Sequence, residues 1–210
     1  AGQFVPLTVL EGGSKKKGAK SNAALTRQVL VKTLIGEQEV RYREWVGNNM
    51  KSVDSLTAGR VGYLHLPDMS THGIAEFHRG YLAQVDREGL IVDVRYNAGG
   101  MVSPLILEKL AHRHLGYDVP RWGSPESYPY HTLRGHLIVI ANQFTGSDGD
   151  MFTTSFRQLQ LGPLVGKRTW GGVIGIDGRY QLVDGTTTTQ PQYSIWFHHA
   201  GWTVENHGVD

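Results

Sequence analysis

Two short runs carry residues whose types and spacing suit chemistry. One is Asn142-Gln143-Phe144-Thr145-Gly146-Ser147-Asp148-Gly149-Asp150, which holds a serine in a glycine turn; the other is Asp93-Val94-Arg95-Tyr96-Asn97-Ala98-Gly99-Gly100, which ends on paired glycines. A serine between a tight turn and a helix stands at the helix N-terminus, where free N–H groups and the dipole favour developing negative charge. Nucleophiles are presented there, but so is an ordinary N-cap serine, and on this stretch alone the cap is the plainer reading. Paired glycines let the backbone approach a ligand closely and expose N–H groups as an anion nest. One N–H from Gly100 and one from Asp148, the residue after the serine, would make an oxyanion hole. A dinucleotide loop fits less well, because G-x-G-x-x-G does not occur here.

The elements needed to position these residues are legible. His136-Leu137-Ile138-Val139-Ile140-Ala141 is short, apolar and rich in β-branched residues, which predicts a buried strand. Met151, Phe152, Phe156, Leu159 and Leu161 then recur at helical spacing, so a helix is expected from near Ser147. Gly89 to Arg95 reads as a second buried strand, followed after the glycine pair by a helix from Val102 to about His114. Upstream, Glu37 to Leu56 reads as an amphipathic helix stopped by Gly59, Arg60 to Leu66 as a strand, and Gly73 to Glu88 as a helix. Alternation of this kind implies an α/β architecture of parallel βαβ units. Gln3 to Leu10 and Arg27 to Leu34 predict a hairpin across the Gly/Lys/Ser-rich loop of Glu11 to Asn22. Leu115 to Leu133, rich in proline and aromatic residues, is too long for an idle connection. It reads equally as a packed surface loop and as a pocket wall or subunit contact. The glycine-rich tail has β-type runs at Arg179 to Val183 and Tyr193 to His198.

Composition narrows the classes. With 210 residues, 40% hydrophobic residues, 27 glycines and a net charge of +2, the chain can bury one good-sized core. Lys15, Lys16, Lys17 and Lys20 supply much of the basic excess, which makes a solvated hairpin tip rather than a nucleic-acid footprint. The absence of cysteine excludes disulfides and thiolate metal sites. No apolar run reaches the length of a membrane span, and Ala1 onward does not read as a signal peptide, so a cytoplasmic setting is expected. A start without methionine and a polar stop at Asp210 suggest a piece of a longer chain.

Taken together, D-V-R-Y-N-A-G-G, N-Q-F-T-G-S-D-G-D and Val204-Glu205-Asn206-His207-Gly208-Val209-Asp210 resemble, in this order and spacing, the catalytic domain of the tricorn-type peptidases. These belong with the tail-specific, or C-terminal processing, serine proteases, and the resemblance covers roughly Val29 to Asp210. It implies a ClpP/crotonase-like spiral core at residues 36–210 and the remnant of a PDZ-like domain at residues 1–35. Ser147 then matches the nucleophile, and Gly100 and Asp148 match the oxyanion hole. Glu205 matches the acidic member of a tetrad that orients a general-base histidine through a second serine. In the family that histidine and serine lie upstream of the PDZ-like domain, so the chain alone is expected to be nearly inert. An aspartate lining the primary specificity pocket for basic residues maps by ungapped spacing onto Asp118, beside Tyr117 and Trp122; a turn aspartate before Pro120 is the alternative there. Ordinary tail-specific proteases instead use a lysine in a T-F-G-K-G motif. Here Thr169-Trp170-Gly171-Gly172-Val173 has glycine at that place, with Lys167 out of register, which sides with the histidine-using type.

The resemblance implies a peptide or unfolded-polypeptide substrate, self-association of the full-length protein into a homo-oligomer, and no cofactor. Among the ten histidines, His65 lies between Leu64 and Leu66 and reads as a satisfied core or rim residue, and nothing supports a metal site. Two rival functions share the fold: a non-catalytic ligand- or peptide-binding module, and a crotonase-like enzyme acting on acyl-CoA.

Overall fold

The computed structural model describes residues 2–10 and 26–210. The lysine-bearing loop expected at Glu11 to Asn22 lies outside the described residues. The chain divides into two compact units, Ala1–Trp45 and Val46–Asp210.

In the first unit, β1 (Phe4–Leu10) pairs antiparallel with β2 (Thr26–Lys32), as the hairpin pattern predicts. Phe4, Leu7, Leu10 and Leu30 stay exposed, because a two-stranded ribbon cannot bury a face by itself. Helix α1 (Gln38–Thr57) opens on the ion pairs Glu37–Arg41 and Glu39–Arg43, each worth a few tenths of a kcal/mol at about 0.2–0.5 per pair. It runs across the division into the second unit and stops at Ala58 and Gly59, both left-handed.

The second unit runs β3 (Val61–His65), α2 (Thr71–Leu82), β4 (Gly89–Asp93), α3 (Ser103–Ala111), β5 (Gly116–Asp118), β6 (Glu126–Tyr128), β7 (His136–Ala141), α4 (Asp148–Gln158), β8 (Leu164–Gly166), β9 (Gly175–Asp177) and β10 (Gln190–Tyr193). Strands β3, β4, β7 and β8 form one parallel sheet in that order, each joined to the next through a helix. This is the mixed α/β architecture that the alternation implied. On one face of the sheet Ile91, Ile138 and Ile140 are half-buried, while Leu90, Val92 and Val139 share the other face and are buried, packed with Phe77 and Tyr81 from α2, Ile106 and Leu110 from α3, and Phe152 and Phe156 from α4. Each such side chain contributes roughly 1.5–3 kcal/mol through burial. A smaller cluster of Val173, Val204 and Val209, with Met151 against it, fastens the tail to the start of α4.

Three expectations shift. Helix α2 starts earlier than Gly73, because Ser70 caps it and the Asp68 carboxylate accepts the Gly73 N–H at 2.9 Å. It ends at Leu82 rather than near Glu88, because Gln84 turns inward. Its amide accepts the Tyr63 N–H at 2.7 Å and donates to the Tyr63 carbonyl at 3.0 Å, so one side chain pairs the free edge of β3 as a strand would. In the tail, β9 pairs with β10, and the β-type run Arg179 to Val183 is no strand. It runs instead into a turn in which Leu182 N–H reaches the Thr186 carbonyl.

Candidate active site

Beyond β7 the chain doubles back through Asn142 to Gly146 and enters α4. The turn is laced to the loop after β4: Thr145 Oγ1 donates to the Val94 carbonyl at 2.7 Å, and Gly146 N–H donates to the Asn97 carbonyl at 2.9 Å. Asn142 Oδ1 accepts the N–H groups of both Tyr96 and Phe144 at 3.1 Å, which stacks their exposed rings at 5.6 Å. Ser147 occupies the cap position of α4 with φ +54° and ψ −120°, and its side chain makes no capping bond. The cap reading is therefore wrong. A non-glycine residue held left-handed costs on the order of 1–3 kcal/mol, and the hydroxyl is kept off the helix it heads. The Asp150 carboxylate, three residues on, takes the Ser147 N–H in its place.

The glycine loop lies against this turn. A Cβ on Gly99 would come within 2.5 Å of Ser147 Cβ and 2.8 Å of Asp148 N, and one on Gly100 within 1.9 Å of the Met69 carbonyl oxygen. Both glycines have positive φ, +96° and +152°, so no other residue fits. Asn97 is fully buried and sets the loop: its amide donates to the Leu66 carbonyl at 3.0 Å and accepts the Gly99 N–H at 2.9 Å. Met101 and Val102 N–H both go to Met69, and Gly149 N–H goes to Gly146. Among the described residues neither the Gly100 N–H nor the Asp148 N–H has an acceptor. The buried Asp148 carboxylate turns away to hold Ser103, accepting its N–H at 3.0 Å and its hydroxyl proton, and so ties α3 to α4.

Glu205 is half-buried and accepts Val173 N–H at 2.6 Å and Ile174 N–H at 3.0 Å on Oε2. It borders a cavity of about 230 Å³ whose walls include Val173, Ile195 and Trp202. The segment it holds is also held by Asp150, so Glu205 is tied to the serine turn through one intermediary. Asp118 is placed differently. It lies exposed on the β5–β6 ribbon opposite Glu126 and accepts the Tyr130 hydroxyl proton at 2.8 Å. Tyr117 packs edge-on against His114 at 4.8 Å, and Trp122 is exposed. Among the described residues no hydrogen bond, ion pair or ring contact joins Asp118 to the serine turn.

No histidine of the described residues hydrogen-bonds to Ser147. His65 is buried with Nε2 at 2.8 Å from the Arg95 carbonyl, and burial pushes its pKa below the usual imidazole value. His72 pairs with Asp68, and His207 Nδ1 lies 3.1 Å from the Gly208 carbonyl. Lys167 is exposed. A Cβ on Gly172, the position where the lysine-using proteases carry their base, would come within 2.4 Å of the Trp170 ring. Among the described residues no group of three His, Asp or Glu side chains could hold a metal. Asn97, Asn142 and Asp150 went unassigned in the sequence. Only Asp150 had a readable signal, an acid at the third position after a cap-type serine; each asparagine joins a neighbour to a partner remote in sequence, Leu66 for Asn97 and Tyr96 for Asn142.

A strained serine at a strand-to-helix turn of a parallel sheet marks the class of α/β hydrolytic enzymes that present a serine nucleophile. Residues 60–210 match Peptidase family S41, and the chain belongs to that family. It is 52% identical over 184 residues to the tricorn protease of Thermoplasma volcanium, covering 88% of this chain and 18% of that protein. It is 49% identical over 210 residues to tricorn protease homolog 1 of Streptomyces coelicolor, covering 100% of this chain and 19% of that protein. A crystal structure of the tricorn protease superposes with a TM-score of 0.89 at 43% identity, over 100% of this chain and 20% of that one. The chain thus spans about a fifth of the length of these relatives.

Proposed function

We propose that this chain is the catalytic domain of a serine peptidase of tricorn type, cleaving peptides or unfolded polypeptides through an acyl-enzyme. Ser147 Oγ attacks the scissile carbonyl carbon while a histidine from outside these 210 residues takes the hydroxyl proton. The N–H groups of Gly100 and Asp148 receive the oxyanion of the tetrahedral intermediate. Collapse expels the amine, to which the imidazolium returns the proton, and water then hydrolyses the ester by the same route. Glu205 orients the histidine through a second serine, with its Oε2 held by two backbone N–H groups. Asp118 provides the preference for basic residues, as the resemblance implies. The proposal includes a ClpP/crotonase-like spiral for the core, a PDZ-like remnant at residues 1–35, a cytoplasmic setting and self-association of the full-length protein. No cofactor takes part.

The observation that carries this reading is the uncapped, left-handed Ser147 beside two N–H groups that lack acceptors. A crotonase-like acyl-CoA enzyme would use the two N–H groups but has no use for a strained serine, and a binding module would use neither. The test is fluorophosphonate treatment of the full-length protein, with labelling mapped by mass spectrometry. Label on Ser147, lost together with peptidase activity in Ser147→Ala, is the expected result. Peptide hydrolysis that survives Ser147→Ala would overturn the reading.

A further inference from the structure

Four consecutive backbone N–H groups are divided between two carboxylates. Gly171 donates to Asp150 Oδ1 at 2.9 Å and Gly172 to Asp150 Oδ2 at 3.2 Å; Val173 and Ile174 donate to Glu205 Oε2 at 2.6 and 3.0 Å. Asp150 is fully buried in the first turn of α4 and also accepts the Ser147 N–H and the Thr169 hydroxyl proton. Burial disfavours the charged carboxylate and leaves its pKa above the usual value, while these four donors offset part of the cost. Only an ionised carboxylate offers enough lone pairs for four donors; an amide of the same shape would turn a donor of its own toward them.

The far side of the segment is zipped to the tail that carries Glu205. Asn206 N–H reaches the Gly171 carbonyl at 2.6 Å, and Thr169 N–H reaches the Val209 carbonyl at 3.0 Å. Residues 171–174 thus form a short spacer, tied to Asp150 at one end and to Glu205 at the other.

We propose that Asp150 is a positioning residue of the catalytic unit: it sets the register between the Ser147 turn and the loop that holds Glu205. This rests on the roles given above to Ser147 and Glu205. A displacement of about 1 Å between groups that act together costs up to ~10²-fold in rate, and a shift of that order follows when one of the two spacer contacts becomes repulsive.

The experiment is a double-variant cycle in the full-length protein, with Asp150→Asn, Glu205→Gln and both together, reading kcat and KM on a peptide substrate and Tm beside them. Asp150→Asn is expected to lower kcat about 10- to 100-fold with KM within about twofold. The double variant is expected to be no more than about twofold slower than the slower single one, because both changes act through one element. Losses that multiply would overturn the proposal, and so would an Asp150→Asn enzyme with lower Tm but unaltered kcat, which is what a purely structural role produces. Wild-type kcat in Glu205→Gln would refute the reading of Glu205 and this proposal with it, whereas multiplied losses refute this proposal alone. If Asp150→Asn does not fold, Thr169→Val, which withdraws one donor from Asp150 and also the acceptor of the Val209 N–H, enters the same cycle, with Thr169→Ser restoring both as the rescue.

Discussion

Replacing Gly99 by alanine tests the contact between the glycine loop and the serine turn. The added Cβ would lie 2.5 Å from Ser147 Cβ, 2.8 Å from Asp148 N and 2.9 Å from the Gly146 carbonyl oxygen. Carbon atoms sit comfortably at roughly 3.5–4.0 Å, so the loop and the turn must separate by about 1 Å. That separation carries Gly100 away from Ser147 and spreads the two N–H groups that lack acceptors. A misplacement of this size costs about 10²-fold in rate, or about 2.7 kcal/mol of transition-state stabilisation at 1.36 kcal/mol per tenfold. Alanine at φ +96° adds a separate penalty of roughly 1–2 kcal/mol to folding. The two losses are separable: kcat is measured per fluorophosphonate-reactive site in the full-length enzyme, and stability by the shift in Tm. A Gly99→Ala enzyme whose kcat per site stays within about threefold of wild type would show that the loop does not act on the same reacting atoms as Ser147.

Two further outcomes are expected. If Asp118 selects basic side chains, the full-length wild type prefers Arg and Lys over Leu and Phe at the cleaved residue, and Asp118→Ala removes that preference; a basic preference untouched by the change would strike Asp118 from the site. Burial holds His65 below the ordinary imidazole pKa, so the unfolded chain binds this proton more readily. The contribution of His65 to stability is therefore complete above a pH of about 6.5 and declines as the pH falls below it. Urea midpoints measured between pH 5 and 8 should converge at low pH for wild type and His65→Gln; parallel profiles would refute this.

The α/β alternation, the hairpin, the strand before Ser147 and the helix after it were all readable, because period, β-branching and turn residues are encoded by neighbours. The three motifs also pointed to the family that the match over residues 60–210 shows. The residues could not tell whether Ser147 caps its helix. Capping serines and presented serines share one local pattern, and the difference lies in φ +54° and in the distant bonds that impose it. Helix α2 ended early for a similar reason: Gln84 found partners on Tyr63, 21 residues back. Tertiary structure alone decided which N–H groups lack acceptors, since Asn97 must first claim that of Gly99 and the Asp150 carboxylate that of Ser147. It alone showed that Asp150 and Glu205 divide one four-residue segment, across separations of 21 and 32 residues. Local sequence specifies which groups are available, but hydrogen-bond satisfaction is settled by what the fold brings alongside them.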